Sequence, residues 1–125
     1  MIWTLAQVAL GGALGSLARF AVQAGGVRLF GPGLPLGTLA VNLLGALLIG
    51  ALFVWLTERA MMRAAPFVMA GVLGGFTTFS AFSLDALLLW ERGQAALAAG
   101  YVLVTVIGTL AAVVLGAWLA RAWLA

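Results

Sequence analysis

The sequence predicts an all-α membrane protein with four transmembrane helices. Of its 125 residues, 66% are hydrophobic, and it carries only six basic residues, three acidic residues and no histidine. This composition leaves too few polar side chains to cover the surface of a soluble domain. Four apolar stretches each reach the roughly 20 residues needed to cross a hydrocarbon core of about 30 Å.

These four stretches account for most of the chain and leave no room for a second domain, so residues 1–125 form one membrane domain. In order, they are residues 2–22, 36–56, 67–90 and 95–120. The five tryptophans lie near their ends, where an indole ring prefers the headgroup region: Trp3, Trp55, Trp90, Trp118 and Trp123. We interpret the first stretch as a span because it lacks the basic leading segment of a cleaved signal.

The third stretch is interrupted at mid-length by the segment GGFTTFSAF, residues 74–82. Adjacent glycines followed by two β-branched hydroxyl residues weaken a helix, and lipid does not tolerate unpaired backbone groups. We therefore expect a break whose carbonyl oxygens, near Gly74 to Thr78, face a protein-enclosed site and suit a monovalent cation. The alternative is a glycine-rich kink that threonine hydroxyls repair by bonding to the main chain.

The net charge of +3 indicates no orientation in the membrane. Basic residues in short loops favour the cytoplasmic side, and each side of a four-span chain receives three arginines: Arg59, Arg63 and Arg121 on one side, and Arg19, Arg28 and Arg92 on the other. One explanation is a weak bias that gives a single topology. We favour the other explanation, insertion in both orientations with pairing of inverted copies.

Polar groups in mid-span also predict a partner chain, because four helices have too few walls to enclose a hydrated path. Small residues recur at helical spacing and permit close backbone approach in lipid; they are Gly11 with Gly15, Gly12 with Ser16, Ala46 with Gly50, and Gly108, Ala112 and Gly116. Most such pairs pack within one chain, so they do not identify the face that dimerises.

Polar side chains inside a span are costly and therefore informative. On the second span Thr38, Asn42 and Gly45 lie near one face. The Asn42 amide supplies two N–H donors without a charge. It is either a donor to an anion or a hydrogen-bonding contact to a neighbouring helix.

After the break, Phe79 and Phe82 lie three residues apart and share one side of the helix. The positive edges of two rings can contact a small anion without holding it permanently. Hydroxyl donors lie beside them at Thr77, Thr78 and Ser80. Core packing is the alternative role for these rings.

Three further polar residues lie in or near the spans. Arg19 is expected to extend toward water, where it would raise the local anion concentration. Asp85 is either interfacial or paired with an arginine, and Tyr101 faces either lipid or the path. No nucleophile and base pair, metal cluster or phosphate loop is present, which argues against an enzyme, and we expect no nucleic-acid partner.

Three motifs together resemble those of the Fluc (CrcB) fluoride channels. They are GGALGSLAR at residues 11–19, GTLAVNLLG at residues 37–45 and GGFTTFSAFS at residues 74–83. The motifs cover three of the four spans in order, and the chain length agrees with the family.

The resemblance implies an antiparallel, dual-topology homodimer in the inner membrane that passively exports fluoride through two pores, each lined by both chains and surrounded by lipid. It implies a structural sodium ion held by main-chain oxygens of Gly74 and Thr77. The fluoride pore would be lined by Asn42, Phe79, Ser80, Phe82 and Tyr101, with Arg19 in the entrance vestibule. Ala81 departs from the family, which commonly has threonine there.

Two other functions fit a small four-span protein. A small multidrug exporter is also an inverted dimer, but it exchanges protons at a membrane-embedded carboxylate, and the first span has none. Asp85 is the one acidic residue within a span. The other possibility is a subunit that transports nothing.

Overall fold

The protein is entirely helical, and the computed structural model describes residues 1–125. Its third span is divided into several pieces of different helical type. In order, the elements are α1 (Ile2–Phe30), α2 (Leu36–Glu58), a 3₁₀ turn (Met62–Ala64), a π-helical segment (Pro66–Leu73), the single turn α3 (Gly74–Phe76), α4 (Phe79–Glu91) and α5 (Ala95–Leu124).

Four helical stretches are long and apolar enough to cross a membrane, which confirms the four predicted spans. The first span is longer than predicted, since α1 continues past residue 22 to Phe30. The added residues pack closely against the start of α2, since a Cβ atom on Gly26 would lie 3.0 Å from the backbone of Gly37. This contact with α2 supports the end of α1. The helix stops at Gly31, which has a positive φ of 79°.

The helices pack in two close pairs, α2 against α5, and α1 against the π-helical segment and α3. Gly50 lies against the Val113 carbonyl and Gly116 against the Leu47 carbonyl, while Gly15 of α1 lies against the Val72 carbonyl. Small residues therefore bring backbones together inside one chain, as expected for most such pairs. They give no information about a dimer face.

The interior of the chain is small, with 19 of 125 residues buried. One apolar cluster is formed by Phe82, Leu89, Ala98 and Tyr101, where α4 meets α5. Large apolar side chains on α1 and α5 point outward, including Phe20, Leu110 and Val114. Lipid or another subunit must cover this surface, because water would not solvate it favourably.

Candidate ion site at the break in the third span

The predicted break in the third span is present, and it consists of Thr77 and Thr78. Both residues have extended backbone, with ψ values of 157° and 121°. Gly74 is helical, with φ −63° and ψ −37°, so the diglycine precedes the break rather than forming it. The first half of the span thus ends in carbonyl groups, and α4 begins with free N–H groups, beside the same short segment.

Asn42 holds the break open from α2. Its Nδ2 donates to the Thr78 carbonyl at 2.9 Å, and its Oδ1 accepts from the Thr78 N–H at 2.8 Å. One side chain therefore satisfies both backbone groups of an extended residue that would otherwise be unpaired in the span. Asn42 makes the helix-to-helix contact that the sequence left as one alternative, and its second amide N–H remains available.

Threonine hydroxyls complete the repair of the backbone. Thr77 Oγ1 donates to the Leu73 carbonyl at 2.9 Å, and Thr78 Oγ1 accepts from the Ala81 N–H at 3.1 Å. Thr78 is thus the N-cap of α4. Ser80 lies beside it, with 3.3 Å between the two hydroxyl oxygens. The two alternatives drawn from the sequence are therefore both present. The helix is broken, and threonine hydroxyls form hydrogen bonds with main-chain groups beside the break.

Two carbonyl oxygens at the break receive no hydrogen bond from the chain, those of Gly74 and Thr77. The N–H groups that could have reached them are used elsewhere: Thr77 N–H bonds Leu73 O, Thr78 N–H bonds Asn42, and Ala81 N–H bonds the Thr78 hydroxyl. These are the two residues expected to bind a cation. Their free oxygens are the ligand type that a hard monovalent cation prefers.

Arg19, predicted to extend toward water at the vestibule, is half-buried and bonds the main chain of the third span. Its Nε donates to the Gly75 carbonyl at 2.9 Å, so the guanidinium caps the carbonyl end of α3. The close approach of α1 to α3 explains this position, since a Cβ atom on Gly75 would lie only 2.6 Å from the Gly12 carbonyl oxygen. A cation is favourable beside the carbonyl end of a helix.

A groove of about 550 Å³ runs along the break on the open side of the chain. It is lined by side chains and backbone from the second, third and fourth spans: Asn42, Gly45, Ala46, Ile49, Gly74, Thr77, Thr78, Phe79, Phe82, Thr105, Val106, Thr109, Leu110 and Val113. Five of the eight site residues proposed from the sequence therefore line one groove, namely Asn42, Gly74, Thr77, Phe79 and Phe82, whereas Arg19, Ser80 and Tyr101 do not line it.

The two phenylalanines contribute to the groove in different ways. Their ring centroids are 5.3 Å apart with an interplanar angle of 65°, an edge-to-face pair. Phe79 is 77% exposed, whereas Phe82 is 5% exposed and also contacts the Tyr101 ring at 5.3 Å. Phe79 thus presents its ring to the groove, while Phe82 joins the groove to the core of the chain.

Two groove residues on α5, Thr105 and Thr109, were missed from the sequence. Thr105 is 5% exposed, and its hydroxyl oxygen is buried without a hydrogen-bond partner. Thr109 donates to the Thr105 carbonyl at 2.7 Å. The sequence does contain a pattern that indicates them: Tyr101, Thr105 and Thr109 are spaced four residues apart, which places their hydroxyl groups on one face of α5.

Asp85 pairs with tyrosine rather than arginine. The Tyr101 hydroxyl donates to Asp85 Oδ2 at 3.2 Å. Tyr101 is 8% exposed, so it faces the protein and not lipid. Neither residue lines the groove itself; both lie behind Phe82.

Comparison with known proteins agrees with the resemblance drawn from the three motifs. Residues 6–117 match the family model described as CrcB-like protein, Camphor Resistance (CrcB). A protein of Cereibacter sphaeroides (strain ATCC 17029 / ATH 2.4.9) called fluoride-specific ion channel FluC is 55% identical over 125 residues, 100% of both chains. Proteins of the same name from Paracoccus denitrificans (strain Pd 1222) and Agrobacterium fabrum (strain C58 / ATCC 33970) are 55% and 49% identical, each covering 94% of this chain and 94% and 95% of their own.

All three motifs fall within the matched residues, and the matches extend over nearly the full length of each relative. The family suggested by the sequence is thereby confirmed, and the chain belongs to the CrcB family.

Proposed function

We propose that this protein is a channel that conducts fluoride passively across the membrane and is not an enzyme. The observation that carries the proposal is full-length identity of 55% to a protein named fluoride-specific ion channel FluC. The geometry supports it, because a groove containing a helix N-terminus, a ring edge and neutral hydroxyl groups lies beside a break in a membrane span. Such groups suit a small anion that has lost part of its water.

The path requires a second copy of the chain. The groove is open on one side, and Phe79 projects from it with 77% of its surface exposed. An antiparallel homodimer would supply the missing wall and form two equivalent pores. Dual insertion is supported by the near balance of arginines: Arg19 lies at the break, which leaves Arg59, Arg63 and Arg121 facing Arg28 and Arg92.

Neutral donors provide the selectivity in this proposal. Asn42, Thr105 and Phe79 line the same groove, and none of the three side chains carries a full charge. A permanent cation at this point would trap an anion, whereas weak contacts let it leave. Ser80, beside the N-cap of α4, extends the polar line, and Ala81 adds no hydroxyl to it.

A structural sodium ion fits the carbonyl oxygens of Gly74 and Thr77, which have no donor within the chain. Two inverted copies would offer both pairs of oxygens to one ion between them. Bound there, sodium would offset the negative end of the backbone dipoles beside the anion path. Replacement of sodium by N-methylglucamine throughout purification is expected to lower the fluoride flux.

The exporter alternative has less support. Its proton-exchanging carboxylate would be Asp85, which is hydrogen-bonded to Tyr101 and lies outside the groove. In such an exporter the carboxylate would have to face the groove at the break, whereas Asp85 faces a smaller cavity at the end of α4.

Growth of a bacterium that lacks its own fluoride exporter tests the proposed function and its inner-membrane location. Expression of this chain should restore growth in millimolar fluoride, and the protein should be recovered with the inner membrane. Unrestored growth despite normal amounts of membrane-inserted protein would refute the proposal.

A further inference from the structure

A second cavity lies at the end of α4, apart from the groove. Its volume is about 260 Å³, and it lies between the loop that joins α1 to α2 (residues 31–35), the adjoining ends of those two helices and the last two turns of α4. Four polar side chains line it, Gln23, Thr38, Asp85 and Arg92. The first of these donates to the second, with 3.1 Å between Nε2 and Oγ1.

This cavity is connected to the groove through one layer of side chains. Thr38 lines the cavity, and Asn42, one helical turn later on α2, lines the groove. On the other wall, Asp85 lines the cavity and accepts the Tyr101 hydroxyl, whose ring contacts Phe82 of the groove at 5.3 Å. Phe82 and Tyr101 therefore separate the two cavities.

The two charged side chains of this cavity form no ion pair with each other. Asp85 and Arg92 lie seven residues apart on the third span, so both face the cavity, but no ion pair joins them. A lone carboxylate here would repel an anion. The Arg92 guanidinium offsets that field at the water-exposed end of the cavity.

We propose that this cavity is the aqueous mouth of the ion path on the side of the α1–α2 and α4–α5 loops, and that Arg92 draws fluoride into it. The inference rests on the proposed fluoride conduction. A cavity with low-dielectric walls focuses the field of a charge at its rim and raises the local concentration of ions of opposite sign. That effect is long-ranged and weakens as salt screens it.

Arg92 also ends α4, where a cation stabilises a helix through its dipole. Arg28 is the matched control for this role. It is exposed, lies in the last turn of α1 on the same side of the membrane, and does not line the cavity. A general effect of charge at a helix end would change both arginines alike.

The test compares Arg92→Gln, Arg92→Lys and Arg28→Gln with the unmodified protein in liposomes, with a fluoride electrode recording initial efflux. In about 10 mM salt, where the Debye length is about 30 Å, Arg92→Gln should lower the rate about threefold or more. In about 1 M salt, where that length is about 3 Å, its rate should approach that of the unmodified protein. Arg92→Lys should keep the unmodified rate at both salt concentrations, and Arg28→Gln should lower the rate in low salt much less than Arg92→Gln does.

An equal effect of Arg92→Gln and Arg28→Gln would overturn the proposed mouth, as would a loss of flux that persists in high salt. Fluoride efflux through the unmodified protein distinguishes failure of this inference from failure of the proposed function. If it conducts fluoride while Arg92→Gln is unaffected, the role of Arg92 is wrong and the channel stands. If it conducts none, the proposed function fails, and the inference fails with it.

Discussion

Asn42 and Thr78 are joined by two hydrogen bonds, one in each direction, across 36 residues of sequence. The amide side chain acts as a substitute for the helical partners that Thr78 lacks. It fixes an extended residue in the middle of a membrane span and thereby positions the N-terminus of α4 beside the groove.

Replacement Asn42→Asp should lower fluoride conduction at least about tenfold while the protein remains in the membrane. The carboxylate cannot donate to the Thr78 carbonyl, and it places a negative charge beside the anion path. Losing a hydrogen bond to a buried backbone group costs about 1–3 kcal/mol, so a decrease of tenfold or more in efflux is expected.

Gln7→Glu is the matched control for Asn42→Asp. It makes the same amide-to-carboxylate change on α1, at a side chain that makes no hydrogen bond and lines neither cavity. Normal fluoride efflux from Asn42→Asp in liposomes would show that conduction does not depend on the two Asn42–Thr78 hydrogen bonds.

Phe79→Ile and Phe82→Ile should separate conduction from stability. Phe79 presents its ring to the groove and contributes little to the core of the chain, so its replacement should lower efflux about two- to tenfold and change the melting temperature less than Phe82→Ile does. Phe82 contacts both Phe79 and Tyr101, so its replacement should lower efflux and destabilise the protein by about 1–3 kcal/mol.

Phe53→Ile controls for the loss of an exposed ring, because Phe53 is 50% exposed on α2 and lies outside the groove. Efflux and thermal unfolding should be measured on the same preparations. If all three variants conduct equally well, ring edges do not contact the ion.

Thr105→Val should reduce conduction without loss of stability. The Thr105 hydroxyl is buried with no partner in the chain, so its removal leaves no other group unpaired and removes a desolvated polar atom. The melting temperature should stay constant or rise, while fluoride efflux falls several-fold. Thr57→Val is the control, because that hydroxyl bonds the Phe53 carbonyl at 2.8 Å, away from the groove. A lower melting temperature with unchanged efflux would assign Thr105 to packing alone.

The break itself was predictable from local sequence, whereas the contacts that hold it were not. Adjacent glycines and threonines predict a weak helix. The Asn42–Thr78 pair and the Arg19–Gly75 bond, in contrast, join residues that are 36 and 56 positions apart in the sequence. Such contacts depend on how the helices cross. Thr105 and Thr109 were missed because a β-branched residue in an apolar span resembles ordinary packing until its face is known.

Glycine positions give a sharper test of the helix crossing. A Cβ atom on Gly75 would lie 2.6 Å from the Gly12 carbonyl oxygen, so Gly75→Ala should force α1 away from α3. We expect destabilisation of about 1–3 kcal/mol and loss of the Arg19 contact. Gly12→Ala is the partner control, since a Cβ atom there meets nothing within 4 Å. Thermal unfolding in detergent measures both, and equal melting temperatures would contradict the crossing described above.

The most direct test of the central claim, that the groove at Thr77–Thr78 conducts a small anion, is paired ion efflux from liposomes containing only the purified protein. Fluoride and chloride electrodes record the two ions in parallel. A potassium ionophore is added so that potassium leaves with the anion and no opposing membrane potential builds up. Fluoride should leave the vesicles rapidly and stop when its gradient is spent, while chloride is retained. Chloride efflux as fast as that of fluoride, or retention of both ions, would contradict the account.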